Sequence, residues 1–216
     1  MSIIQNYINI KNEIKSLNEN TKLIVVSKSQ DIEKIKILLE HNHFDFGENK
    51  VQEAVAKWST LLKDYKSINL HLIGKLQSNK AQDAFSIFNF IHTLDNEKLA
   101  KILSNLEAVN NKKINYFIQI NIGDEPQKNG IFKSKVSDFI KYCKFDLKLN
   151  ILGLMCLPPI NETPDLFFKK LKELAIDNKL KQLSMGMSAD YKEAATLGAT
   201  YVRIGTSIFG KRSNQF

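Results

Sequence analysis

The sequence predicts an α/β fold: one closed (β/α)8 barrel of parallel strands, each followed by a helix. Three observations carry this. Apolar runs and helical patterns alternate about eight times along the 216 residues, no hairpin signal interrupts them, and no Gly-x-Gly-x-x-Gly turn follows the first strand. Such alternation calls for parallel strands joined by crossover helices. About eight units in close to the minimum length favour closure over an open doubly wound sheet.

The elements follow in order. Residues 3–17 place Ile4, Tyr7, Ile8, Ile14 and Leu17 at helical spacing and stop at Asn18-Glu19-Asn20, an extra helix ahead of the barrel. Leu23-Ile24-Val25-Val26 is an unbroken run, rich in β-branched residues, that ends on Ser27-Lys28. It reads as a strand buried on both faces. A helix from Asp31, as N-cap, to Glu40 comes next. Further strands are expected at 44–47, 68–74, 88–93, 114–121, 149–157, 180–188 and 199–205. Helices are expected at 48–63, from Ser78 onward, and at 95–108, 133–144, 163–174 and 189–197. No Pro/Gly/Ser linker or repeat divides the chain, so a single domain over 1–216 is expected.

Composition narrows the function classes. At 43% hydrophobic and 25% charged the chain is ordinary globular material, and no stretch reaches the roughly 18 apolar residues of a membrane span. The N-terminus carries no basic segment followed by an apolar core, so no signal peptide is read there. Cys143 and Cys156 make no metal or redox spacing, which fits a reducing cytoplasm. The net charge of +8 comes from lysines dispersed through every helix. Both arginines, Arg203 and Arg212, lie near the C-terminus, and no basic cluster argues for nucleic acid.

In a barrel, one face collects the C-terminal ends of all the strands, and ligands bind there. Lys28 falls on that face. A partly desolvated amine loses its proton more readily and can condense with a carbonyl, whereas a solvated lysine merely ends a strand. Ser184-Met185-Gly186-Met187-Ser188 and Arg203-Ile204-Gly205-Thr206 fall after the seventh and eighth strands. Glycine-freed amides, hydroxyls and a helix start there make an anion cradle; the plainer reading is a hydroxyl cap and a glycine turn. Asn49 either bonds a ligand or caps a helix. Pyridoxal phosphate satisfies an amine and a cradle across one mouth, and so does a phosphorylated sugar bound by a Schiff-base aldolase. Arg203 faces a ring nitrogen or a phosphate. His41, His43, His71 and His92 have no ligand spacing and no acid beside them, so they read as satisfied core or surface residues.

Six segments together resemble the YggS/PROSC family of pyridoxal phosphate homeostasis proteins. They are Val26-Ser27-Lys28, Phe46-Gly47-Glu48-Asn49, His71 to Lys80, Gly153-Leu154-Met155, Ser184 to Asp190 and Arg203 to Gly210. The resemblance implies a barrel like the N-terminal domain of alanine racemases, with pyridoxal 5'-phosphate held as an internal aldimine by Lys28. It implies Ser188, Gly205 and Thr206 at the phosphate, Arg203 at the pyridine nitrogen and Asn49 at the ring. The implied role is cofactor homeostasis, with delivery to pyridoxal phosphate-dependent apoenzymes, rather than turnover. A weak amino-acid racemase or Schiff-base lyase is the alternative. Gln30, Lys75 and Ala199 depart from the family pattern, and Lys75 sets a second amine near the mouth. The sequence stops at Phe216, soon after the last strand, so no dimerising β-domain and a monomer are expected.

Overall fold

A computed structural model describes residues 2–159 and 161–210; Arg212 lies outside the described residues. The strands are β1 (Lys22–Val26), β2 (Asp45–Glu48), β3 (Asn69–Leu72), β4 (Phe90–Leu94), β5 (Asn115–Asn121), β6 (Ile131–Phe132), β7 (Asn150–Cys156), β8 (Gln182–Ser184) and β9 (Tyr201–Ile204). All pairings are parallel, and β1, β2, β3, β4, β5, β7, β8 and β9 close into a ring through the β4–β5 and β1–β9 pairs. The two-residue β6 hangs on the end of β5 outside the ring. The expected eight-stranded barrel is therefore present.

Helices α1 (Ile3–Leu17), α2 (Ile32–Glu40), α3 (Val51–Asp64), α4 (Ala81–Ile87), α5 (Glu97–Asn110), α6 (Val136–Lys141), α7 (Pro164–Asp177), α8 (Tyr191–Thr196) and α9 (Thr206–Phe209) lie between and after the strands. Strand alternation sorts side chains into two cores. Leu23 and Val25 point outward into the large apolar layer under the helices, with Phe46, Leu70, Leu72 and Trp58. Ile24 points inward and packs with Phe117, Met155 and Tyr201 in a separate cluster inside the barrel. Among the described residues no helix is long and apolar enough to cross a membrane.

Several boundaries differ from the sequence expectation. The strand expected at 180–188 is only Gln182–Ser184, because Gly186 turns the chain out of the sheet at φ +91°. The first strand stops at Val26, and Ser29 at φ +56° places Lys28 in a turn beyond it. Glu48 is the last residue of β2, not the start of a helix. The helix expected at 133–144 is a 3-10 turn, α6 and a π-helical turn over Tyr142–Asp146. Both β6 and α9 are too short for periodicity to reveal.

Candidate functional site

The turn carrying Lys28 is clamped from below. Ser27 donates its amide to the Gly47 carbonyl at 3.0 Å, and its hydroxyl to Glu48 Oε1 at 2.8 Å. Lys57, one helical turn beyond Glu53 on α3, places its ammonium 2.8 Å from the Ser27 carbonyl, 3.0 Å from Glu48 and 2.9 Å from Glu53. Trp58 Nε1 gives Glu48 Oε1 a third donor at 3.0 Å. Past Lys28, the Ser29 amide donates to Glu53 at 2.5 Å. Both residues flanking Lys28 are thus held by one buried ion-pair cluster. Glu48 is fully buried between barrel and α3; all three donors meet its Oε1, and its Oε2 has no hydrogen-bond partner. Sequence reading missed this cluster. The Glu53–Lys57 spacing on a helix was its one local signal.

Above the turn, the C-terminal mouth holds a cavity of about 360 Å3, a common size for a small-ligand site. All six residues singled out from the sequence line it: Lys28, Asn49, Ser188, Arg203, Gly205 and Thr206, with Gln30 and the apolar Val26, Ile73, Leu157 and Met187. Lys75 is not among the lining residues; its ammonium donates to Asn129 Oδ1 at 2.6 Å.

Asn49 is fixed by a glycine. A Cβ on Gly74 would lie 2.2 Å from the Asn49 carbonyl oxygen, so only glycine lets the β3 exit pass this close. Asn49 Oδ1 is buried and has no protein partner. It does not cap α3, whose N-cap position is Lys50. On the far lip, Asp190 accepts the Met187 amide at 2.6 Å and donates its own amide to the Met187 carbonyl at 3.1 Å. This box holds Ser188 over the cavity, and the N-cap position of α8 is Asp190, not Ser188. Gly205 precedes α9, and the first amides of that turn have no acceptor within the helix.

Arg203 forms the floor. It is buried, donating from Nη1 to Ser184 Oγ at 2.7 Å and from Nη2 to the Cys156 carbonyl at 3.1 Å. Burial pulls its pKa below the usual value, but a guanidinium keeps its proton. Behind Ser184 stand two fully buried histidines, His71 and His92. His92 Nδ1 lies 2.8 Å from Ser184 Oγ, and its Nε2 lies 3.0 Å from His71 Nδ1. His71 Nε2 meets Asp45 Oδ1 at 3.2 Å, an acid brought to it by strand register and not by sequence proximity. Burial lowers both imidazole pKa values, that of His92 strongly. It also pushes the thiol of Cys156 up to about 12.

Two cations, two hydroxyls, an unpartnered buried amide oxygen and no carboxylate line the mouth among the described residues. That donor set fits an anionic, phosphorylated carbonyl compound such as pyridoxal phosphate. Among the described residues no cluster of His, Cys, Asp and Glu is arranged to hold a metal.

Comparison with known proteins agrees in extent and in kind. Residues 2–213 match the family model for the alanine racemase N-terminal domain. A pyridoxal phosphate homeostasis protein of Haemophilus influenzae is 35% identical, covering 99% of this chain and 94% of its own. The structure of PipY from Synechococcus elongatus with pyridoxal phosphate bound superposes with a TM-score of 0.83 at 30% identity, covering 93% of this chain and all of PipY. Alanine racemase from Acinetobacter baumannii shares the fold at a TM-score of 0.76 and 16% identity, and the match takes in 98% of this chain and 63% of the racemase.

Proposed function

Since the chain belongs to the family of pyridoxal phosphate homeostasis proteins, built on the alanine racemase N-terminal domain, we propose that it binds pyridoxal 5'-phosphate in the barrel mouth. There it keeps the free intracellular cofactor scarce and hands it to apoenzymes. The observation that carries this is the convergence of Lys28, Arg203, Ser188 and Thr206 on one cavity whose described lining residues include no carboxylate. Lys28 Nζ would hold the cofactor through its aldehyde carbon, the aldehyde oxygen leaving as water. Ser188, Thr206 and the Gly205 turn take the phosphate, and Arg203 and Asn49 meet the ring. The bound group supplies a reactive aldehyde and an electron-accepting ring.

Storage, rather than turnover, is favoured by what stands around it. Two-sided proton transfer needs an acid and a base on opposite faces of the ring. The described lining residues include no carboxylate, imidazole or phenol to serve as a second acid or base to Lys28. A guanidinium at the ring nitrogen also leaves that nitrogen unprotonated, which weakens the ring as an acceptor of the negative charge that racemisation develops. Two buried, unpaired thiols suit a reducing cytoplasm.

Titration of the purified protein with pyridoxal phosphate tests the reading. An absorbance band at the visible edge is expected, fixed by borohydride onto Lys28 and lost in Lys28→Ala. Apoenzyme reactivation by the loaded protein tests delivery. A protein left colourless by the cofactor overturns the assignment, and racemase rates typical of enzymes overturn the storage role.

A further inference from the structure

The polar series behind Arg203 runs the length of the barrel interior. Arg203, Ser184, His92, His71 and Asp45 are joined by contacts of 2.7, 2.8, 3.0 and 3.2 Å. Of the five, only Arg203 lines the cofactor cavity. Asp45 begins β2 on the opposite rim and borders a second cleft there, beside Lys22 and Asn69.

Hydrogen-bond roles along the series follow from its two ends. A guanidinium can only donate, and an ionised carboxylate can only accept. Asp45 therefore requires the hydrogen of His71 on Nε2. A neutral His71 then presents a bare Nδ1, which takes the hydrogen of His92 Nε2. His92 Nδ1 is bare in turn and takes the Ser184 hydroxyl proton, leaving a lone pair of Ser184 for Arg203. All four bonds therefore donate toward Asp45, beginning with Arg203, and the Ser184 hydroxyl and both imidazoles each use their one hydrogen. The burial of both rings favours the neutral forms this requires. Ring planes cannot swing to another arrangement, since His71 stacks on Phe90 at 4.3 Å and His92 on Phe117 at 4.5 Å. The other charged or titratable groups bearing on the series are Lys22 and His43 near Asp45 and His71, Tyr201 against both imidazoles, and Cys156 and Asp190 near Arg203.

Remove the carboxylate, and the reverse order becomes available. His71 would donate from Nδ1, His92 from Nδ1, and the Ser184 proton would be turned loose beside the guanidinium. We propose that Asp45 is a positioning residue for Arg203, fixing through His71, His92 and Ser184 how the guanidinium is presented at the far end of the barrel. The consequence for the bound cofactor rests on the proposed function; the hydrogen-bond order does not.

Long-range nitrogen NMR of the cofactor-free, histidine- and arginine-labelled protein tests the order directly. In the wild type, His71 and His92 are expected neutral, each protonated on Nε2 and bare on Nδ1. In Asp45→Asn, whose amide can also donate, the Arg203 guanidinium resonances are expected to move. A hydrogen on Nδ1 of either ring in the wild type, or Arg203 signals unchanged in Asp45→Asn, overturns the proposal. With pyridoxal phosphate bound, Asp45→Asn and His71→Phe should weaken binding about tenfold, the scale for outer partners of a site. They should also move the pH midpoint of the cofactor band by about half a unit or more, and spectra that overlay the wild type count against the proposal. Should a variant fail to fold, the wild-type tautomers still decide. Failure of the wild type to take up the cofactor removes the proposed ligand while the NMR result stands by itself.

Discussion

The ammonium of Lys57 lies 2.8 Å from the carbonyl oxygen of Ser27, the residue before Lys28. A helix residue thus fixes the backbone of the turn that presents the candidate tether, and it does so while neutralising the buried Glu48. Lys57→Met is expected to lower unfolding free energy by about 3–5 kcal/mol, the cost of stranding a buried charge. Adding Glu48→Gln should recover part of that loss, since the two changes act on one interaction. Chemical denaturation of the single and double variants reads the recovery. Strict additivity would place the two residues in separate roles.

Gly74→Ala tests the neighbouring constraint. The added methyl would stand 2.2 Å from the Asn49 carbonyl, so β2 or β3 must shift at its exit. A stability loss of about 1–3 kcal/mol is expected, as for overpacked sites, with weaker uptake of pyridoxal phosphate because Asn49 lines the cavity. Lys75→Ala serves as the control beside it. Its side chain bonds Asn129 outside the cavity, so stability should stay within about 0.5 kcal/mol and uptake should be unchanged.

Acid should unfold this protein through its histidines. Burial, opposed by the Asp45 carbonyl and carboxylate, lowers His43 from 6.5 to about 4; Lys11 and His71 push the same way as burial. His71 and His92 are lowered too, chiefly by burial. Below the ordinary value the unfolded chain binds protons that the fold refuses, so stability rises with pH in that window. It is fully present above about pH 6.5 and is lost as pH falls toward 4, with His43 alone contributing about 3 kcal/mol. Melting temperature measured from pH 7 down to 4.5 should fall steadily, and His43→Phe should flatten the curve. A melting temperature that climbs on acidification contradicts buried neutral imidazoles.

The barrel was legible because its determinants are local. Apolar runs such as Leu23 to Val26, followed each time by a helical pattern, leave few topologies open. Lys28, Ser188, Gly205 and Thr206 were legible for a related reason: each stands just past a strand, and a closed parallel barrel gathers all such positions at one mouth. Partnerships set by register were not legible. Asp45 and His71 lie 26 residues apart and meet because Asp45 pairs with Asn69, which puts His71 one inward position further along. Residue 48 reads from sequence as the start of a helix, yet Glu48 ends β2 and alternation turns it outward to Lys57 and Trp58. Strand ends were overextended for the same reason. Met185 to Ser188 is as apolar as a strand, and only the positive φ of Gly186 shows that the sheet has already ended.

The helix ahead of the barrel bears on the phosphate end of the site. Asn6 Nδ2 on α1 donates to the Ile208 carbonyl at 3.1 Å, inside α9, whose first turn carries Gly205 and Thr206. Asn18 Nδ2 likewise holds the Ala195 carbonyl at the end of α8, at 3.3 Å. Tyr7, Ile10 and Ile14 bury the face between these two anchors, so α1 braces α9 beside the proposed phosphate cradle at one end and, at the other, the end of α8 remote from Ser188. Asn6→Ala should cost about 1 kcal/mol of stability, the net worth of one hydrogen bond. Its effect on ligands should be selective. A loosened α9 weakens the grip on phosphate but leaves Lys28 and Asn49 in place, so affinity for pyridoxal phosphate should fall while that for pyridoxal stays constant. Parallel titrations with the two compounds measure the ratio. An equal loss for both would mean that α1 supports the barrel as a whole and not the phosphate cradle.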